Sequence, residues 1–148
     1  MILTVRVFVV VVTALLVQAF ALPGQQSMLD AEIQGLVQLV NRASDPQNRY
    51  LLAREISGSV VSDKTRDVSP QTISQLTDLL RDRDDVVRFW AATALGNIGT
   101  LAITAVPALE RALQEAAGKY TNSIPPSLYS ADAINGALEK LTGRPSRP

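Results

Sequence analysis

The chain of 148 residues contains no cysteine and no histidine. Disulfides and zinc sites built from Cys or His are therefore excluded. Acid–base chemistry would fall to carboxylates, Lys and Tyr. No G-x-S-x-G elbow occurs, and no pair of carboxylates is placed to work across a pocket. Net charge is absent too, with fourteen Lys and Arg against fourteen Asp and Glu. A nucleic-acid surface needs clustered positive excess, so that class is excluded. The length suggests one modest domain.

One long apolar run is present, at the N-terminus. MILTVR carries a single charge at Arg6, and VFVVVVTALLV (7–17) carries none. Ala19-Phe20-Ala21 then places small residues three and one before a cleavage point. This is the three-part pattern of a secretory signal peptide over residues 1–21, with 22–27 as a short linker. Cleavage after Ala21 leaves a chain beginning Leu22-Pro23-Gly24, periplasmic or secreted. Loss of Arg6 leaves 13 positive and 14 negative charges, a net of −1. Without a Cys there is no lipoprotein acylation site. The alternative is an uncleaved membrane anchor, since the uncharged stretch from Val7 to Gln26 is just long enough to span.

Beyond residue 27 the punctuation is that of helices. Ser69-Pro70 reads as an N-cap followed by Pro at the first helical position. Ile73, Leu76, Leu79 and Leu80 then recur at helical spacing. The chain also repeats itself. A shift of 39 residues lays Asp45 on Asp84, Arg49 on Arg88, Tyr50 on Phe89, Leu51 on Trp90 and Ala53 on Ala92. A second shift lays Trp90 on Tyr129, Ala92 on Ala131 and Leu95 on Ile134. At a shift of 40, Ile33, Leu36, Leu39 and Val40 fall on Ile73, Leu76, Leu79 and Leu80. The predicted units are helix pairs at about 28–42 with 46–60, 70–80 with 85–98, and 105–117 with 128–142. The linker 119–127 is longer than its counterparts, and 143–148 reads as a helix stop with a disordered tail. A lone pair cannot bury its apolar faces, and about three stacked pairs are the minimum for stability.

LTDLLRDRDDVVRFWAATALGNIG (76–99) followed by AVPALERAL (105–113) resembles a HEAT repeat, in particular the short bacterial PBS-lyase HEAT-like type. The residues that carry the resemblance are Asp84-Asp85, Val87-Arg88, Ala91-Ala92, Ala94-Leu95-Gly96, Ile98-Gly99 and Val106-Pro107-Ala108-Leu109. It is strongest over 70–114, weaker over 28–60 and weakest over 128–142. It implies an all-α fold, an α-solenoid of about three helix pairs with a period near 39 residues. It also implies that second helices line a concave surface where protein partners bind. Asp and Arg of successive units form a ladder in such stacks, which assigns Asp45, Arg49, Asp84 and Arg88 to one. Related repeats occur in phycobilin lyases, so a chromophore-handling or accessory role is the alternative; bound pigment in purified protein would reveal it.

On a helical wheel, Val87, Ala91, Ala94, Leu95 and Ile98 form one buried stripe. Ala53, Ala92 and Ala131 are expected where neighbouring pairs approach. Gly96 and Gly99 are expected to end the helix and turn the chain. A phosphate cradle is disfavoured there, because a helix C-terminus repels anions. Asp82, Asp84 and Asp85 lack the spacing of a calcium loop. Asp84 or Asp85 reads instead as a helix cap. Val86, Phe89 and Thr93 point away from the stripe. With Tyr50, Trp90 and Tyr129 they form the candidate partner surface. Within that set Tyr50 and Phe89 read as surface, whereas Trp90 and Tyr129, like Leu51 outside it, read as fillers of the seams between units. Together these features predict an exported, non-catalytic protein-binding module with no cofactor and no metal.

Overall fold

Ser27 opens the first helix, its hydroxyl accepting from the Asp30 N–H at 3.0 Å. The computed structural model describes residues 27–60, 68–116 and 129–145. The signal segment 1–21, most of the 22–27 linker, the linker 119–127 and the end of the tail lie outside the described residues. Six α-helices are present among the described residues, and no strand. They are α1 (Met28–Arg42), α2 (Pro46–Ser59), α3 (Pro70–Asp78), α4 (Asp85–Ile98), α5 (Val106–Ala116) and α6 (Ser130–Thr142).

The caps explain the boundaries. Asp45, Ser69 and Asp84 each sit at an N-cap and accept a backbone N–H from the first turn of α2, α3 and α4. Pro46 and Pro70 occupy the first helical position, where a missing N–H costs nothing. Gly143 stops α6 in the left-handed region, its N–H bonding Glu139 O at 2.8 Å. A 3-10 turn (Leu79–Arg81) closes α3.

The helices stack as three pairs: α1 with α2, α3 with α4, α5 with α6. Second helices lie side by side, with α4 between α2 and α6. First helices form the other layer, and α1 packs on α3. This is an all-α solenoid. One continuous core runs between the layers, and Ile33, Ile56, Leu76, Leu80, Leu95, Leu109 and Ile134 are fully enclosed in it. Each such side chain contributes about 1.5–3 kcal/mol by leaving water.

Three details differ from the sequence reading. Gly96 does not end α4. It is buried inside the helix, where a Cβ would stand 3.0 Å from the Ala137 Cα of α6. Gly96 is there for close approach of two helices, and Gly99 alone, at φ 71°, makes the stop. The third first-helix begins at Val106, after a 3-10 run from Gly99 to Ala105. The last helix starts at Ser130 and not at 128, so Tyr129 is its N-cap residue and not a helical one. The stretch Asp85–Ala116 is long and apolar enough to cross a membrane by composition. Val87, Leu95 and Leu109 within it are taken up by the core, while Leu101 and Ile103 between the two helices stay exposed.

Candidate interaction face

Arg49 is the polar centre of the first seam. It is buried, and its Nη1 donates to Val40 O at 2.8 Å and Ala43 O at 3.3 Å, the orphan carbonyls at the end of α1. Its Nη2 crosses to the second unit and donates to Asp82 Oδ1 at 2.6 Å, while Asp84 Oδ2 stands 3.7 Å from Nε. Asp82 also accepts the Asp84 N–H at 2.9 Å, so one carboxylate orders the loop and binds the neighbour.

Arg88 repeats half of this. Its Nη1 donates to Asp82 O at 2.5 Å, the carbonyl that stands 39 residues after Ala43. The third unit has Thr121 and Ser123 where Asp82 and Asp84 would recur. Arg88 therefore turns back to Asp85 of its own helix. Asp85 makes the second seam: it accepts from Ser130 N at 3.1 Å and Ser130 Oγ at 2.5 Å. A carboxylate at the positive N-terminus of α6 complements that end. Asp84 is thus the cap of α4, and Asp85 is a bridge to the next unit. Asp45 is exposed, caps α2 through Asn48 N at 2.8 Å, and makes no ion pair among the described residues. Arg49, Asp82 and Asp85 carry cross-unit polar contacts of the second helices and the loops that precede them.

Two contributors went unseen in the sequence. Buried Asp30 accepts the Ser69 N–H at 2.9 Å, and Gln34 donates to Thr72 Oγ1 at 2.9 Å, tying α1 to α3. Asp30 and Ser69 are 39 residues apart, which is the only trace of that contact in the sequence.

The aromatic side chains gather at the α2–α4 seam. Trp90 meets Phe89 edge to face with centroids 4.9 Å apart, and Tyr50 at 6.4 Å. Such geometry adds about 0.5–1.5 kcal/mol per pair beyond burial. All three rings are half-buried, and Trp90 also packs on the core. The indole N–H of Trp90 is enclosed and has no acceptor among the described residues. Thr93 Oγ1 donates back to Phe89 O at 2.9 Å, and Thr93 and Val86 are both half-buried. Tyr129 is half-buried at the start of α6. Leu51, read as a seam filler, is exposed, because α2 is the outermost second helix.

No group of three or more Asp or Glu side chains converges as a metal cage among the described residues. A cleft of about 550 Å³ beside Arg81, Asp82, Arg83 and Glu115 mixes both signs of charge and holds no nucleophile–base pair.

Paired helices, a continuous core and side chains bridging each pair to the next define an α-solenoid repeat protein. The chain belongs to the HEAT-repeat family: the family model for HEAT repeats matches residues 33–123. No curated protein and no solved structure matches it. HEAT repeats generally mediate protein–protein interaction, and the family is typically a non-catalytic scaffold.

Proposed function

We propose that this is an exported, non-catalytic module that binds a protein partner on the second-helix face, at Tyr50, Phe89 and Trp90. One observation carries the reading. From Phe89 to Gly99 the central helix carries no charged residue, and its open side presents the three-ring cluster. Three of the chain's seven aromatic residues are concentrated there. Rigid aromatic side chains make large contacts at little entropic cost and are enriched at hot spots. Val86 and Thr93 extend the uncharged patch, and Tyr129 lies beyond it at the N-cap of α6. Export is supported by the leader pattern of residues 1–21.

The test compares capture from an envelope extract by the native protein, Phe89→Ala and Tyr50→Ala, with Glu115→Ala as control. The reading expects recovery of one partner to fall at least tenfold for the two aromatic variants, with thermal midpoints close to native. A large loss of stability in Phe89→Ala makes that ring core and sinks its part in binding. N-terminal sequencing of the exported product separates a soluble module from an anchored one: a first residue of Leu22 removes the anchor.

A further inference from the structure

The open face of the second helices carries opposite charges at its two sides. Arg54 of α2 stands four residues after Tyr50, so the two are turned by only about 40° and share that face. Arg54 is exposed, and its guanidinium has no partner among the described residues. Asp132 of α6 is exposed as well, and its carboxylate has no partner among them either. On α6, Ala137 meets Gly96 of α4, and Leu138 lies with Leu113 in the groove between α5 and α6. Asp132 is turned by about 140° from Ala137 and about 120° from Leu138, which leaves it on the open side.

Between these two charges lies α4, uncharged from Phe89 to Gly99 and presenting Phe89, Trp90 and Thr93. Neighbouring helix axes stand about 8–10 Å apart, so Arg54 and Asp132 are separated by about 16–20 Å across the face. That exceeds the Debye length of about 8 Å at physiological salt, and the pair cannot neutralise itself. Lys140, the other exposed charge on this side of α6, is about two turns farther along and donates to Asn97 Oδ1 at 3.1 Å.

We infer that the partner contributes an extended segment that crosses α2, α4 and α6, with an acidic side chain at Arg54, apolar side chains on the three rings and a basic side chain at Asp132. The inference rests on the proposed binding face and adds the charge pattern of what binds there. An extended chain covers the distance in about six residues at roughly 3.3 Å each. Exposed ion pairs add little affinity, but they select which segment binds and which way it lies. A segment charged alike at both ends meets one like charge on this face and is rejected relative to the mixed one.

Trp90 is the chain's single tryptophan, so its emission reports on this face in the protein as the cell delivers it. Three blocked hexapeptides serve as probes, each with four apolar residues between its ends: aspartate and lysine, two lysines, or two aspartates. The native protein is expected to prefer the mixed peptide by roughly fivefold. Arg54→Asp is expected to switch the preference to the two-lysine peptide, and Asp132→Arg to the two-aspartate peptide. The double variant, with the charges exchanged, is expected to prefer the mixed peptide again. Circular dichroism is expected to stay native throughout; should a reversal fail to fold, Arg54→Gln and Asp132→Asn replace it and are expected to level the preference. Binding of none of the three peptides, or an order of preference that ignores the substitutions, overturns the inference. So does a native dimer in sedimentation velocity that either single reversal dissolves, since the occupant is then a second copy. A captured partner that depends on Phe89 and not on Arg54 or Asp132 overturns it too, while leaving the binding face in place.

Discussion

The guanidinium of Arg49 leaves its own helix pair and closes on Asp82 of the next at 2.6 Å, with side-chain exposures of 6% and 13%. The same side chain binds the carbonyls that end α1. Replacing Arg49 with Ala leaves Asp82 and those carbonyls unpartnered in a largely enclosed seam. The expected loss is about 3 kcal/mol or more, read from urea unfolding. Arg49→Lys is expected to recover only part of it, since an ammonium cannot reach both groups at once.

The second seam hangs on Asp85. Asp85→Ala removes the acceptor of Ser130 N and Oγ. A loss of roughly 1.5–3 kcal/mol is expected for hydrogen bonds to a charged group. Amide hydrogen exchange should quicken in the first turn of α6 and stay unchanged in α1. Equal quickening throughout would refute a local role.

Two glycines within helices should respond with opposite signs. A Cβ at Gly58 meets nothing within 4 Å, so Gly58→Ala is expected to raise stability by about 0.5–1 kcal/mol through helix propensity. A Cβ at Gly96 meets the backbone of Ala137 at 3.0 Å. Gly96→Ala is therefore expected to lower the thermal midpoint despite the same propensity gain.

Ala92 is fully buried on the central helix. Ala92→Leu should overpack that site and cost about 1–3 kcal/mol, measured by chemical denaturation. A neutral result would mean that the helices part easily there.

The sequence made the helix pairs legible because caps and apolar spacing are local. Ser69-Pro70, Asp84 and the 39-residue repeat place most boundaries within a residue or two of the structure. The role of Gly96 was not legible, since a glycine near a helix end looks like a stop until the neighbouring Ala137 is seen. Asp82 was hidden for a similar reason. Its partner Arg49 lies 33 residues away, and the repeat pairs Arg49 with Arg88, not with an acid. Of the candidate surface, Tyr50, Phe89 and Trp90 come together, as the repeat that lays Tyr50 on Phe89 in stacked second helices led one to expect. Tyr129 does not continue them as a helical residue, because the last helix starts two residues late.

The position of α4 between α2 and α6 has a kinetic consequence. Neither outer second helix can bury its inner side until α4 has formed. A partly folded chain can hold units one and two, or units two and three. It cannot gain the seams of one and three without the middle. Any intermediate on the way to the native state therefore contains α4, and the last amides to exchange should be its own.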